Sequence, residues 1–440
     1  MTLATLPLVQ PDGRRDWDRS LAAFDAARCY DRVRVRFWGR EVVLVNRTED
    51  IHAVLVERAE DFRKGPVLSV NAKPLLGNGL LTGDNARNRR QRRLISPAFA
   101  HKRVLEYAPV VVRWTERQQA LWPDGAVVDA PQEMLAITLG IIGELLLSAD
   151  LLTSARGVGN ALATLMNFAV DEMRAPWRAV MALPRALRAL LFLNRTVYRH
   201  IDARREQGDA EADLLARLLF ARDEEGQGMG ERLVRDETMT LFLAGLETVA
   251  VALFWSLYLL DRHPDIRERL EAEVDAALAG RPPTVDDLPR LPYALQVFKE
   301  SMRLYPPAYI VARQALRTVE VGDMALPAGT VVFASPYVRH RDPAHFPDPD
   351  KFDPDRWADP DAEKRLPRYA FLPFGSGPRV CVGGHFALLE AHLILAALVQ
   401  RVRFTRVPGH EEVRPEPLFT LRPAGRVPMR VIRRGASSAG

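Results

Sequence analysis

The chain has 440 residues, 48% of them hydrophobic and 27% charged, with a formal net charge of +5. That composition supplies a large core, and so small a net charge makes any basic partner surface a local feature. Two cysteines exclude a disulfide framework, and the opening "MTLATLPLVQPDGRRDW" lacks the basic start, apolar run and cleavage site of a secretory signal, so a reducing cytoplasm is expected.

In chain order, "RVRVRFWG" and "EVVLVN" flank Gly39 and predict a small hairpin. From about residue 51 to 278, apolar residues at 3.6 spacing, broken by Pro and Gly, predict helices. The most charged run, "RNRRQRR" (Arg87 to Arg93), reads out of context as a nucleic-acid patch or a localisation signal. "PWRAVMALPRALRALLFLN" mixes large apolar residues with arginines. It reads equally as an amphipathic helix pair packed on the core and as a lid that touches a membrane.

"LFLAGLETVAVALFWSLYLL", Leu241 to Leu260, has the length of a membrane span. It carries Glu247 and Thr248 near its middle and stands alone in mid-chain, which fits better with a helix threading a soluble core. In "KESMRLYPP", Glu300 and Arg303 lie three apart on one helical face and can pair, most simply as a surface salt bridge. From Pro306 to Pro378 the dense prolines predict ordered loop, and strand-like pieces fall at Val319–Val321, Thr330–Phe333 and Met429–Val431. With no repeat and no low-complexity linker, one mainly α domain over 1–440 with a small β part is expected. Its flexible ends would cover 1–16 and 434–440.

"FGSGPRVCVG", Phe374 to Gly383, encloses Cys381 in glycines ahead of a long apolar run. Cys381 can be an idle thiol, a nucleophile or a metal thiolate. A nucleophile needs a base and an oxyanion site, and no neighbour supplies either. Glycines let backbone approach a flat ligand closely, and the following helix start favours thiolate over thiol. Arg379 stands two residues before, placed to meet an anionic group of such a ligand.

At Phe374, Gly377, Arg379, Cys381 and Gly383 this loop matches the cysteine loop of the haem-thiolate monooxygenases, the cytochrome P-450 superfamily, and the chain resembles that family from Gly83 to Gly383. The resemblance implies a single large α-helical fold, with haem b held between the long central helix and the cysteine-loop helix. Cys381 would be the axial iron ligand, Phe374 would pack near its sulfur, Gly375 and Gly383 would admit the porphyrin, and Arg379 would bind a propionate. Arg92, ahead of "LISPAF", and Arg313, in "PAYIVARQAL", match further propionate-binding positions. Asn88 stands where the family usually has tryptophan, and by that position would donate a hydrogen bond to the haem in its place.

"AGLET", Ala244 to Thr248, resembles the family's oxygen-activating kink. Gly245 would open room over the iron, Thr248 would hydrogen-bond dioxygen or its water, and Glu247 would join the proton route. A core helix with its hydroxyl bonded to the preceding turn is the plainer alternative. Val249 replaces a frequent second hydroxyl residue. Glu300 and Arg303 would be locked by Arg356 of "FDPDRW", bracing the cysteine loop.

By family position the pocket would be lined by Val67, Leu68, Val70, Leu75, Leu76, Phe242, Leu243, Ala308, Tyr309, Ile310, Val311, Phe419, Thr420 and Leu421. No acid or base among them would hold a charged head group, which points to a hydrophobic substrate. The implied reaction uses O2 and two electrons to hydroxylate an unactivated carbon. The electrons would come from NAD(P)H through a separate ferredoxin or flavodoxin-type donor, which the remaining arginines of "RNRRQRR" would attract in a salt-dependent way; no nucleic acid is then expected. "RLYPPAYIVARQ", "SPYV" and "FALLEAHLIL" look similar to soluble bacterial members that hydroxylate carotenoid β-rings. Fatty acids, terpenoids or steroids, polyketides and a non-catalytic haem sensor remain open, and the location is cytoplasmic or peripheral at a membrane.

Overall fold

The computed structural model describes residues 8–9, 17–37, 40–148, 158–159, 161, 164–165, 168, 176–208, 213–410 and 412–435. Its main helices are α1 (Trp17–Ala27), α2 (Asn85–Ile95), α3 (Ala108–Ala120), α4 (Ala130–Leu147), α5 (Pro176–Gln207), α6 (Leu214–Phe220), α7 (Glu231–Arg262), α8 (Pro264–Leu278), α9 (Pro292–Leu304) and α10 (Gly384–Arg401). The strands are β1 (Leu8–Val9), β2 (Arg32–Phe37), β3 (Arg40–Val45), β4 (Phe62–Lys64), β5 (Val127–Asp129), β6 (Val311–Ala315), β7 (Val319–Val321), β8 (Met324–Leu326), β9 (Val331–Ala334), β10 (Val402–Arg406), β11 (Pro415–Pro417), β12 (Leu421–Pro423) and β13 (Pro428–Arg433).

The apolar run that could have spanned a membrane is the centre of the molecule. The spanning-length window of α7 is 72% buried inside the fold, and Phe254, Trp255 and Tyr258 are among the most deeply buried large side chains. A helix apolar on all sides needs neighbours on all sides, and α7 packs on α4 most extensively and also on α5, α6, α8, α9 and α10. α4 is likewise long and apolar enough to span, and 67% of its window is buried.

The six-stranded sheet runs β1-β2-β3-β9-β6-β4. β2 and β3 form the expected hairpin, with Trp38 and Gly39 outside the described residues. The period-2 pattern of β3 feeds two separate cores, Val42 and Leu44 on one face and Val43 and Val45 on the other. β6 and β4 pair antiparallel, and their register sets Lys64 directly opposite Arg313. Like charges in that position repel. A three-stranded sheet, β10-β13-β5, and two two-stranded ribbons complete the β part.

The expected flexible ends fall mostly outside the described residues, with two corrections. Leu8–Val9 pairs with β2 as a parallel strand, and Arg434 is tied by its guanidinium to Asp275 at 2.6 Å.

Candidate active site

The cysteine loop is shaped by backbone constraints. The Cys381 N–H donates to the Phe374 carbonyl at 2.9 Å and the Gly375 N–H to Leu372 at 3.0 Å, closing the loop just before α10. Gly375 and Gly377 have φ of 71° and 72°, in the left-handed region. At Gly377 a Cβ would lie 2.1 Å from the Leu55 carbonyl oxygen, so only glycine lets the loop rest on that segment. Burial pushes the thiol pKa up, opposed by the nearby Gly383 N–H and by Arg92 and Lys64. Yet Cys381 retains exposed surface. It is an interior sulfur with open space beside it.

Four cations converge near this sulfur. Arg92 donates to the Val380 carbonyl at 2.6 Å. Arg379 donates through Nη2 to the Gly83 carbonyl at 2.9 Å and to Asn85 Oδ1 at 2.8 Å, while its buried Nη1 has no partner. Arg313, 4% exposed, bonds only the neighbouring Ala312 carbonyl at 3.1 Å, and burial together with Arg379 pushes its pKa down to about 10. The Lys64 ammonium lies well below its ordinary value through burial, then Arg313 and Arg379, with Cys381 opposing. Among the described residues, no carboxylate forms an ion pair with any of the four. Arg313 is buried and Lys64, Arg92 and Arg379 are half-buried; leaving such like charges uncompensated is costly, so the cluster suits an anionic group. A thiolate ligand beside cations facing two carboxylates is the donor set haem b requires, and these residues fit it.

Lys64 carries no sequence motif and was not expected; only the β4–β6 register brings it to Arg313. Asn88 departs from expectation in another way. Its amide donates to the Leu80 carbonyl at 2.7 Å, so a buried donor is spent on the nearest free acceptor. Asn85 is the asparagine that meets Arg379.

On α7 the "AGLET" residues divide between two sides. Ala244 is exposed, and Leu243, Gly245 and Thr248 partly so, within a helix otherwise almost wholly buried. The Thr248 hydroxyl donates to the Ala244 carbonyl at 2.7 Å, one turn back. Gly245 does not open this space: its bare face meets α4, where a Cβ would stand 3.2 Å from Ile142 Cδ1. Thr138 of α4 donates to the Leu246 carbonyl at 2.8 Å in the same contact. Glu247 is buried and accepts from the Thr420 hydroxyl at 3.0 Å; burial pushes its pKa up. Thr420, expected in the pocket wall, is therefore the partner of Glu247.

Glu300 and Arg303 are each 0% exposed, which replaces the surface salt bridge with a buried, two-pronged pair at 2.8 and 2.9 Å. The carboxylate also accepts from Arg356 Nε at 3.3 Å, Trp357 Nε1 at 3.0 Å and the Asp353 N–H at 3.0 Å. Arg303 donates onward to the His340 carbonyl at 2.8 Å, and His340 Nε2 accepts the Leu372 N–H at 2.9 Å. Burial holds His340 well below its ordinary pKa, so the neutral ring can act as that acceptor. This unanticipated histidine connects the triad to the residue two before Phe374.

A cleft of about 350 Å³ is walled by Phe37, Val42, Pro66, Ala312, Val331, Phe333 and Leu418, together with the expected Val67, Leu68, Ile310 and Phe419. Arg40 and Asn71 add polar groups to its lining, contrary to a wholly uncharged pocket. Leu76, Tyr309 and Leu421 present no surface to any space, because packed cores claim them; the Tyr309 hydroxyl donates to the Leu418 carbonyl at 2.8 Å. Val70 and Ala308 are exposed, Phe242 is buried, and Leu75 and Val311 are half-buried. The charged run on α2 is largely self-paired: Arg87 with Asp84, Arg89 with Glu60 and Arg90 with Asp223. Arg93 is the outward arginine of the run with no ion pair among the described residues.

A family model described as Cytochrome P-450 matches residues 14–427. The chain is 41% identical over 399 residues to cyclooctatin synthase of Streptomyces melanosporofaciens, covering 89% of this chain and 86% of that protein. It is 36% identical to pentalenene oxygenase of Streptomyces avermitilis, covering 85% and 84%. The crystal structure of the cytochrome P-450DA heme domain superposes with a TM-score of 0.89 at 26% identity, over 98% of each chain.

Proposed function

Since the chain belongs to the cytochrome P-450 family of monooxygenases, which use haem b, O2 and electrons from a redox partner, we propose that it hydroxylates an unactivated carbon of a cyclic terpenoid. The observation that carries this reading is the apolar cleft bounded by Val67, Leu68, Ile310 and Phe419, in a chain whose relatives are named for cyclooctatin and pentalenene. Apolar walls with few polar groups select hydrophobic shape.

The residues take the following parts. Cys381 would ligate the iron of haem b, and a thiolate ligand there would supply electron density that favours O–O cleavage. Lys64, Arg92, Arg313 and Arg379 would hold the propionates, which would relieve the mutual repulsion of the cluster. Thr248, by rotating away from the Ala244 carbonyl, offers its hydroxyl to the space beside Ala244. Glu247, whose pKa burial pushes up, is held by the Thr420 hydroxyl and would relay a proton across α7 by side-chain rotation. Glu300, Arg303 and Arg356 steady the loop through His340. The donor is a ferredoxin or flavodoxin with its NAD(P)H reductase. The enzyme works in the cytoplasm, with peripheral membrane contact through the "PWRAVMALPRALRALLFLN" segment.

Spin-shift titration of the haem-loaded protein with cyclic terpenoids, carotenoids and fatty acids, followed by product analysis with donor and reductase, tests the assignment. A terpenoid should shift the spin state and return hydroxylated. Hydroxylation of the carotenoid β-ring or a fatty acid alone would overturn the substrate class. Absence of the red-shifted Soret band of a thiolate-ligated carbonyl complex would sink the monooxygenase reading itself.

A further inference from the structure

We infer that the outer face of α5 is a docking surface for a lipid bilayer bearing anionic head groups. The inference deepens the membrane contact proposed above and rests on that reading for its purpose, namely loading an apolar substrate.

The face is distinctive within this molecule. Among the described residues, Trp177, Val180, Met181, Leu183, Leu187, Leu191 and Phe192 are all exposed large apolar side chains, with exposures from 39% for Phe192 to 74% for Met181. A surface helix ordinarily has one apolar stripe, turned inward. α5 has that stripe: Ala186, Ala189, Leu193, Val197 and Ile201 are buried against the body. Its second apolar stripe, at three- and four-residue spacing through Trp177, Val180, Met181, Pro184, Leu187 and Leu191, points the opposite way and is exposed, with no described residue covering it. From Trp177 to Leu191 it extends roughly 20 Å at the rise of an α-helix.

Charge identifies the occupant. Between residues 176 and 201 the sequence has five arginines, at 178, 185, 188, 195 and 199, and no Asp or Glu. None of the five forms an ion pair with a described carboxylate. Arg178 instead lies 5.1 Å from the centre of the Trp177 ring. Exposed apolar residues with a tryptophan, edged by unpaired arginines on a long helix, are the pattern of a helix lying in the plane of a membrane surface. The apolar side chains enter the acyl boundary while the arginines meet head-group phosphates. A second copy of the chain is the poorer fit. A two-fold contact would set this arginine-rich face against itself.

The test is vesicle flotation of the full-length, haem-loaded protein, read without substrate or turnover. Vesicles of phosphatidylcholine alone are compared with equal parts phosphatidylcholine and phosphatidylglycerol, at low and high salt. The protein should float with the mixed vesicles, with partitioning at least about tenfold above that for phosphatidylcholine, and salt should reduce the difference. Met181→Asp with Leu187→Asp should abolish flotation while leaving the carbonyl Soret band intact. Arg185→Gln with Arg188→Gln and Arg195→Gln should remove the preference for the anionic lipid. Flotation with neither composition, or flotation unchanged in the aspartate variant, would overturn the proposal. So would a dimer in light scattering that the aspartate variant dissociates, since the face would then be a self-interface. Hydroxylation of detergent-dispersed terpenoid by a protein that does not float would reject the docking face alone. Flotation without such turnover would reject the terpenoid assignment alone.

Discussion

Lys64 shows how one side chain can have opposite value in two states of the same protein. It stands opposite Arg313 across a strand pair and near Arg379, with no described carboxylate to compensate. Without a bound anion it is a repulsive charge; with two propionates present it would become part of their binding site. Lys64→Met should therefore raise the unfolding free energy of haem-free protein, by on the order of 1 kcal/mol. The same substitution should speed haem transfer to a competing apoprotein, roughly five- to tenfold for one lost charge-assisted bond. Haem-free protein made no more stable, or haem transfer made no faster, would contradict the cluster's assignment. The cysteine loop was legible in sequence because its backbone turns are local: Gly375 and Gly377 take left-handed backbone within six residues of Cys381. Lys64 was not, because nothing local distinguishes it from a surface lysine. It is placed by strand register to a residue far along the chain.

At the scale of elements, the central helix is clamped to the loop before α2 by two carboxylates. The Leu80 N–H donates to Glu237 Oε2 and the Asn78 N–H to Asp236 Oδ2, each at 2.8 Å. Burial, with Asp236 adding to it, raises the pKa of Glu237 from 4.5 to about 8. In the unfolded chain the carboxyl loses its proton near 4.5, whereas in the fold it keeps it to about 8. Over that window the folded state holds the extra proton, so stability falls as pH rises. The slope approaches about 1 kcal/mol per pH unit. Glu237→Gln, neutral at every pH, should flatten it in denaturant unfolding measured at successive pH values across the window. An unchanged slope would assign the dependence to another group. The helices themselves could be anticipated from their 3.6 spacing, whereas the division of "AGLET" could not. Glycine at 245 reads equally as room for a ligand and as a close helix contact, and only α4, through Ile142, decides for the contact.

Across the whole molecule, tertiary pairing changes what a charged sequence means. "RNRRQRR" reads as a strongly basic patch, yet Asp84, Glu60 and Asp223 each meet one of its arginines, the last from well over a hundred residues away. Exposed ion pairs of this kind add little stability, but they remove much of the local field that would steer an acidic donor. Electron delivery should then depend only shallowly on salt, because Arg93 is left to act nearly alone. Single-turnover reduction of the haem-loaded protein by a ferredoxin, followed over a range of ionic strength, measures this. The rate should fall severalfold at most as screening shortens the reach of charges to about 10 Å near 0.1 M salt. Arg93→Glu should remove most of the remaining dependence and slow docking, without changing the carbonyl Soret band. A steep salt dependence that survives Arg93→Glu would locate the donor away from α2, on a surface whose charges are not cancelled within the fold.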